Sequence, residues 1–299
     1  MVAETVESTD EVKTVIIAIA NHKGGVTKTT TTITVASGLA RRGKRVLIID
    51  LDGQANASKV VGKKHPKLAP VTICDVLLSQ SPDILNDAIV EDTRLPSPEN
   101  PLVHLIYGTM KLHKSSVENT LRARVRPVEV LADKLRFLKG IYDYILIDCP
   151  PALNILTQNA LAAADHYIIP LDTSDQFGMD GMEDLMDLVK DIKAVNPSLN
   201  LLGILLARHD ARKLVCKTIE NALVTSNYPI FKQTISHATA VQQANMLQTT
   251  IVDMDGNNKV AREYNRLVKE IMSKLDQGQP EESDNPEDST DVVNPAPVK

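Results

Sequence analysis

Between residues 14 and 275 short apolar runs alternate with longer amphipathic stretches, and this alternation constrains the fold more than any other feature. The runs at 15–20, 46–50, 102–107, 144–148, 167–170 and 201–207 read as strands, with weaker candidates at 229–235 and 250–252. Helical periodicity marks 28–42, 72–79, 116–139, 155–164, 179–195, 211–226, 238–247 and 258–274. Strands followed by helices predict a doubly wound α/β fold: a mostly parallel sheet with helices on both faces. Aromatics are 3% of the chain and Trp is absent, so the core must come from Ile, Leu, Val and Ala, which suit strands buried on both faces. Ligands of such sheets bind beyond the carboxyl ends of strands. The polar residues after the first, second and fourth strands are therefore where chemistry is expected.

The first strand runs into Asn21-His22-Lys23-Gly24-Gly25-Val26-Thr27-Lys28-Thr29-Thr30 and then a helix. Strand, glycine-rich loop and helix N-terminus together form a phosphate cradle: glycines let amides turn inward, and the helix dipole favours an anion. Lys28 is placed to reach the β- and γ-phosphates of a nucleoside triphosphate, and the Thr29 hydroxyl to ligate Mg2+. The strict GxxxxGK[ST] pattern fails, because Thr27 stands where its last glycine belongs. A β-branched residue is costly at positive φ, so Thr27 is expected at negative φ.

Three carboxylates follow strands: Asp50 and Asp52 after the second, and Asp148 after the fourth. Each alone also fits a cap or turn residue. Beside the phosphate loop they fit a Mg2+ hydration shell, which points to ATP hydrolysis rather than binding alone.

These residues resemble the ParA-type partition ATPases, within the deviant-Walker group that also holds MinD-like and nitrogenase iron-protein-like enzymes. The resemblance spans residues 14–275 and rests on KGGVTKTTT, LIIDLDGQANAS and ILIDCPPALNILTQNAL, with Gly181 and the segment around Asp210 and Arg212 as weaker matches. It implies a P-loop NTPase fold and a homodimer that sandwiches ATP. Lys23 would cross the interface to the partner's phosphates, and Gly24, Gly25, Val26, Thr27, Lys28, Thr29 and Thr30 would hold the nucleotide. Asp52 would position or activate water, and Thr29 and Asp148 would hold Mg2+, Asp148 through water. A cation arriving only on dimerisation acts like an arginine finger, worth about 10³–10⁵ in rate. Lys23 also fits a solvated loop lysine.

The resemblance further implies slow, partner-stimulated hydrolysis, non-specific DNA binding by the ATP-bound dimer, and a ParB-type centromere-binding partner in plasmid or chromosome partition. Phosphate contacts need a basic face. Of the formal charge of −5, residues 1–13 carry −3 and 276–299 carry −6, leaving +4 on the body. In the last helix Lys259, Arg262, Arg266 and Lys269 share one face, opposite Val260, Tyr264, Leu267, Ile271 and Leu275. Arg208, Arg212, Lys213 and Lys217 form a second basic cluster. Such stripes are often simply solvated faces, and the family's arginine-bearing late segment reads here Ile235-Ser236-His237. Arg208, Lys213, Lys217, Lys259, Arg262, Arg266 and Lys269 are nevertheless the candidate DNA contacts.

Other readings remain open: an ATP-dependent positioning switch for another cargo, or a MinD-like membrane-associated ATPase. The second needs an amphipathic C-terminal helix at a membrane, whereas the tail here is acidic and contains proline, so no membrane partner is expected. Scattered Cys74, Cys149 and Cys216 offer neither a cluster ligand set nor a disulfide framework. With no apolar run near the roughly 20 residues a bilayer needs, and an acidic, polar N-terminus unlike a signal peptide, the expectation is a cytoplasmic, nucleoid-associated protein. Its domain is expected at 14–275, between disordered acidic segments at 1–13 and 276–299.

Overall fold

The computed structural model of the chain describes residues 13–91, 93–95, 102–174 and 179–277. The expected acidic segments therefore lie outside the described residues, except for Lys13, Asp276 and Gln277. Strands β1 (Val15–Ile19), β2 (Val46–Asp50), β3 (Ile89–Val90), β4 (Val103–Ile106), β5 (Tyr144–Asp148), β6 (His166–Asp172) and β7 (Asn200–Ala207) form one sheet in the order 3-4-2-5-1-6-7. All neighbours are parallel except β3 and β4. The doubly wound, mostly parallel α/β fold is thus observed, and the short antiparallel edge β3 is the strand that sequence periodicity missed.

Alternation along each strand builds two cores. Ile16, Ala18, Leu47, Ile49, Ile145 and Ile147 face helices including Ile73–Leu78, Ile155–Ala163 and Asp180–Ile192. Ile17, Ile19, Val46, Ile48, Tyr144 and Leu146 face helices Lys28–Ala40 and Lys259–Gln277. Register places Asp50 beside Asp148, and Asp148 beside Ile19. The carboxyl ends of β2, β5 and β1 therefore end side by side, as the motifs require.

Three expected elements differ. The helix expected at 116–139 is split into Ser115–Arg122 and Val130–Leu135, followed by a 3-10 turn. Pro127 explains the break, because it lacks an N–H and disfavours helical backbone at Arg126. Residues 229–235 form only single pairings, Ile230 with Ile204 and Ile235 with Ala207. There Pro229 has no amide to donate, and the amides of Lys232 and Gln233 donate to Glu270 instead. Residues 250–252 form no strand: Thr250 is the N-cap of a short helix, Ile251–Met254, its hydroxyl accepting from the Asp253 amide at 3.2 Å. The Thr-x-x-Asp spacing was the overlooked capping signal.

Helix Lys28–Ala40 is enclosed on nearly all sides, and its buried hydroxyls have defined uses. Ser37 donates to the Asp253 carboxylate at 2.8 Å, which also accepts from Thr250 at 2.6 Å and from Arg41 at 2.7 Å. One carboxylate thus ties the first helix to the short helix beside the last one. The Asp253 side chain is 3% exposed and that of Arg41 44%, so the two ends of this pair contribute unequally. Asp253→Ala is expected to lower unfolding free energy by about 3 kcal/mol, through stranded buried donors. Arg41→Ala is expected to cost below about 1 kcal/mol. Urea denaturation checks both, and equal losses would contradict the assignment.

Candidate nucleotide site

The loop after β1 wraps toward its own lysine. Lys28 is 7% exposed and donates from Nζ to the carbonyls of Asn21 at 3.0 Å and Lys23 at 2.8 Å. Burial lowers its pKa, against the opposing pull of Asp148, Cys149 and Asp52. Asn21 fastens the loop base, donating to the Pro170 carbonyl at 2.8 Å and accepting the Lys23 amide at 2.9 Å. Gly181 lies against this base: a Cβ there would stand 2.9 Å from Asn21 Oδ1, which accounts for glycine at the opening of helix Asp180–Ile192.

The expectation for Thr27 is overturned. Its φ is 72°, in the left-handed region, as is Gly25 at 76°. The turn into the helix requires this backbone: Thr27 precedes Lys28, and its carbonyl already accepts the Thr31 amide at 2.8 Å. The geometry expected of glycine is therefore kept by a residue that resists it, at a strain of about 1–3 kcal/mol.

Beneath the loop, Thr29 donates from Oγ1 to Asp148 Oδ2 at 2.7 Å. Asp148 is fully buried, and burial followed by the Asp50 charge raises its pKa well above the ordinary carboxylate range. Asp50, equally buried, is pushed up to about 6, mainly by burial. Its oxygens accept the Ser58 amide at 2.7 Å, the Ser58 hydroxyl at 2.6 Å and the Asp52 amide at 3.3 Å. Asp50 thus holds the loop carrying Asp52, and Ser58, a residue that sequence reasoning did not single out, is its main anchor. Asp52 is 7% exposed and bends the loop by accepting the Gln54 amide at 2.9 Å.

Asp50, Asp52 and Asp148 concentrate negative charge that Lys28 offsets only in part. A hydroxyl beside carboxylates is a hard-oxygen donor set, and a hard divalent cation fits both the charge and the chemistry. Among the described residues no group of three or more His, Cys, Asp or Glu side chains could hold a metal. Mg2+ keeps water and substrate phosphates as ligands, so a hydroxyl and a carboxylate such as those of Thr29 and Asp148 are a sufficient protein contribution.

Gly24, Gly25, Thr27, Lys28, Thr29, Thr30 and Asp52 line a cleft of about 600 Å3. Val26 is turned into the core, Asp148 lies below the floor, and Lys23 is half-buried beside the glycines. The far wall comes from Ile235, Val241, Met246 and Tyr264, residues too distant in sequence for any local pattern to disclose. Of the basic candidates, Lys259, Arg262, Arg266 and Lys269 share the exposed face of the last helix, opposite its buried apolar face. Arg208, Lys213 and Lys259 converge with Arg212 on a second cleft of about 800 Å3, while Lys217 is exposed outside it. Arg208 lines both clefts and pairs with Asp172 at 2.8 Å.

The AAA domain family matches residues 14–201. The chain is 34% identical over 265 residues to the chromosome partitioning protein ParA of Myxococcus xanthus, covering 87% of this chain and 88% of that one. It is also 34% identical over 264 residues to the sporulation initiation inhibitor protein Soj of Bacillus subtilis, covering 86% and 97%. Among solved structures, cobyrinic acid a,c-diamide synthase from Mycobacterium smegmatis with bound ATP analog and magnesium superposes with a TM-score of 0.75. That pair is 27% identical and covers 89% and 97% of the two chains.

The strained threonine gives a direct check. Thr27→Gly is expected to leave stability within about 1 kcal/mol of the parent, because relief of left-handed strain offsets the added backbone entropy. Thermal unfolding measures it. A loss well beyond that would mean that the side chain, not the backbone, holds this turn.

Proposed function

The chain belongs to the ParA/Soj family of chromosome-partitioning ATPases, and from that premise we propose a Mg2+-dependent ATP hydrolase whose ATP-bound sandwich dimer binds DNA non-specifically. It would act in plasmid or chromosome partition with a ParB-type partner. The observation that carries this reading is that Lys28 and Thr29 line one cleft, with Asp148 bonded to Thr29 just beneath it and Lys23 beside its glycines. Lys28 would exchange its two loop carbonyls for β- and γ-phosphate oxygens, so the loop is held in shape before nucleotide arrives. Thr29 and Asp148 would hold Mg2+, which supplies neutralisation of the phosphate charge. Asp52 would orient the attacking water, and the Asp50–Ser58 contact fixes its loop. The wall of Ile235, Val241, Met246 and Tyr264 suits an apolar base, as in nucleotide clefts generally.

Hydrolysis would be slow in the monomer because the cation that meets developing charge, Lys23, would come from the second subunit. Lys23→Gln is expected to abolish stimulation of ATPase by DNA and a ParB-type protein while changing ATP affinity by less than about tenfold. Full-rate hydrolysis by an obligate monomer would rule out the sandwich mechanism.

DNA phosphates would be met by Lys259, Arg262, Arg266 and Lys269, with Arg208, Lys213 and Lys217 adding contacts near the second cleft. Among the described residues no helix is long and apolar enough to cross a membrane. An Arg262→Ala, Arg266→Ala variant is expected to dimerise normally, bind DNA more weakly with ATP, and lower the log–log salt slope by about two. Undiminished binding at low salt would exclude these two arginines from the interface.

A further inference from the structure

The turn that carries Asp52 is clamped on two sides. On the inner side the Ser58 hydroxyl donates to Asp50 at 2.6 Å and accepts the Gly108 amide at 2.8 Å. Those bonds tie the segment after β4 to the end of β2, two strands already paired from Val46 and Val103 to Ile49 and Ile106. A Cβ on Gly108 would stand 2.7 Å from Asp50 Cγ, so the chain passes as close as glycine allows. From there a 3-10 turn, Met110–His113, capped by Thr109 and anchored by buried Leu112, carries His113 to the outer side.

His113 sits on Gly53, the residue after Asp52. A Cβ there would fall on the imidazole, 2.5 Å from Cδ2 and 2.7 Å from Cε1. Gly53 does not have positive φ, so its backbone would accept any L residue, and it is the ring that demands glycine. The ring also meets the next side chain: Gln54 Nε2 lies 3.4 Å from His113 Nε2. An amide nitrogen can only donate, so the imidazole nitrogen accepts and carries its proton on Nδ1. Long and exposed, that bond alone would hold little. The seat on Gly53 is what keeps the acceptor in position.

We propose that Gln54, oriented by His113, is a second water-orienting residue beside Asp52. The inference rests on the hydrolysis proposed for this cleft. Both Asp52 and Gln54 line it, and Asp52 Oδ1 accepts the Gln54 amide at 2.9 Å, so the two belong to one turn. A water placed for attack has two hydrogens to direct. Asp52 accepts one. With its NH2 group turned to His113, Gln54 has Oε1 to accept the other, which leaves an oxygen lone pair for the γ-phosphorus. One acceptor lets the water turn about a single bond, whereas two fix it, and that ordering is complete before the barrier is climbed. Glutamine does this without adding charge where Asp50, Asp52 and Asp148 already crowd. His113 touches no reacting atom. It is a positioning residue that acts through Gln54.

The test compares the full chain with full-length Gln54→Ala, His113→Ala, Gly53→Ala and the double variant Gln54→Ala, His113→Ala. Steady-state hydrolysis of ATP with Mg2+ is measured beside affinity for a non-hydrolysable ATP analogue, and thermal unfolding verifies each fold. Gln54→Ala is expected to lower kcat about tenfold, the scale of one hydrogen bond, with analogue affinity within about twofold of the parent. His113→Ala removes the ring and Gly53→Ala displaces it, and each is expected to lower kcat without weakening the analogue. In the Gln54→Ala background the loss of His113 is expected to add nothing. Unchanged kcat in Gln54→Ala overturns the inference and leaves the ATPase reading standing. Losses that multiply in the double variant overturn the action of His113 through Gln54. A matching fall in analogue affinity makes Gln54 a nucleotide-binding residue and overturns its action on water. No hydrolysis by the parent overturns the ATPase reading, and the inference with it.

Discussion

The structure turns on a charge imbalance at the carboxyl ends of β2 and β5. Parallel register sets Asp50 and Asp148 side by side, both fully buried between the two hydrophobic layers. Two buried carboxylates that close cannot both ionise cheaply. Burial raises both, with the Asp50 charge adding to the rise at Asp148 and the Asp52 charge adding to that at Asp50. Nearly everything around them reads as a response. Ser58 supplies two donors to Asp50, Thr29 supplies one to Asp148, and Lys28 brings a cation that is itself partly desolvated. A site so arranged is short of positive charge, which is what a nucleotide's metal ion provides. The left-handed Thr27 is held between fixed points: Lys28 bonds back to the Asn21 and Lys23 carbonyls, Thr29 bonds to Asp148, and the Thr27 carbonyl accepts the Thr31 amide.

Much of this was legible in the sequence because it is local. The β-type runs are short, apolar and followed by helices, so six of the seven strands were found, and Asp50, Asp52 and Asp148 could be placed at strand ends. What was not legible depended on partners remote in sequence. Thr27 looked unsuited to positive φ because propensity is a local quantity, while the loop geometry is imposed by the helix and the carboxylates below. Residues 250–252 looked extended because Ile and Val favour strands. Thr250 and Asp253 capped a helix instead, and a buried Ser37 made that cap worth keeping. Pro127 was in plain view and outweighed the helical period around it.

The cleft wall shows the other limit. Ile235, Val241, Met246 and Tyr264 come from three separate segments, and only tertiary packing brings them over the phosphate loop. Ser58 was hidden differently: it lay within a recognised segment, but its function is to hold Asp50. Support of this kind leaves no spacing rule behind, whereas direct ligands do. The basic residues were legible as a helical face. Glu263 and Glu270 turn toward the 232–236 segment, and among the described residues Arg262, Arg266 and Lys269 have no carboxylate within ion-pair distance, an outcome no helical wheel contains.

Helix Lys28–Ala40 has one further consequence. It begins at the phosphate loop, is walled by sheet and helices along its length, and ends near the Asp253 contacts. Its amides can meet solvent only when the layers around them part, which puts them among the slowest-exchanging in the molecule. The phosphate loop is thereby rooted in a helix buried along most of its length. Fluctuations that open the edges of the sheet leave the cradle's footing in place, and motion at the loop has a stiff rod, rather than a soft hinge, behind it.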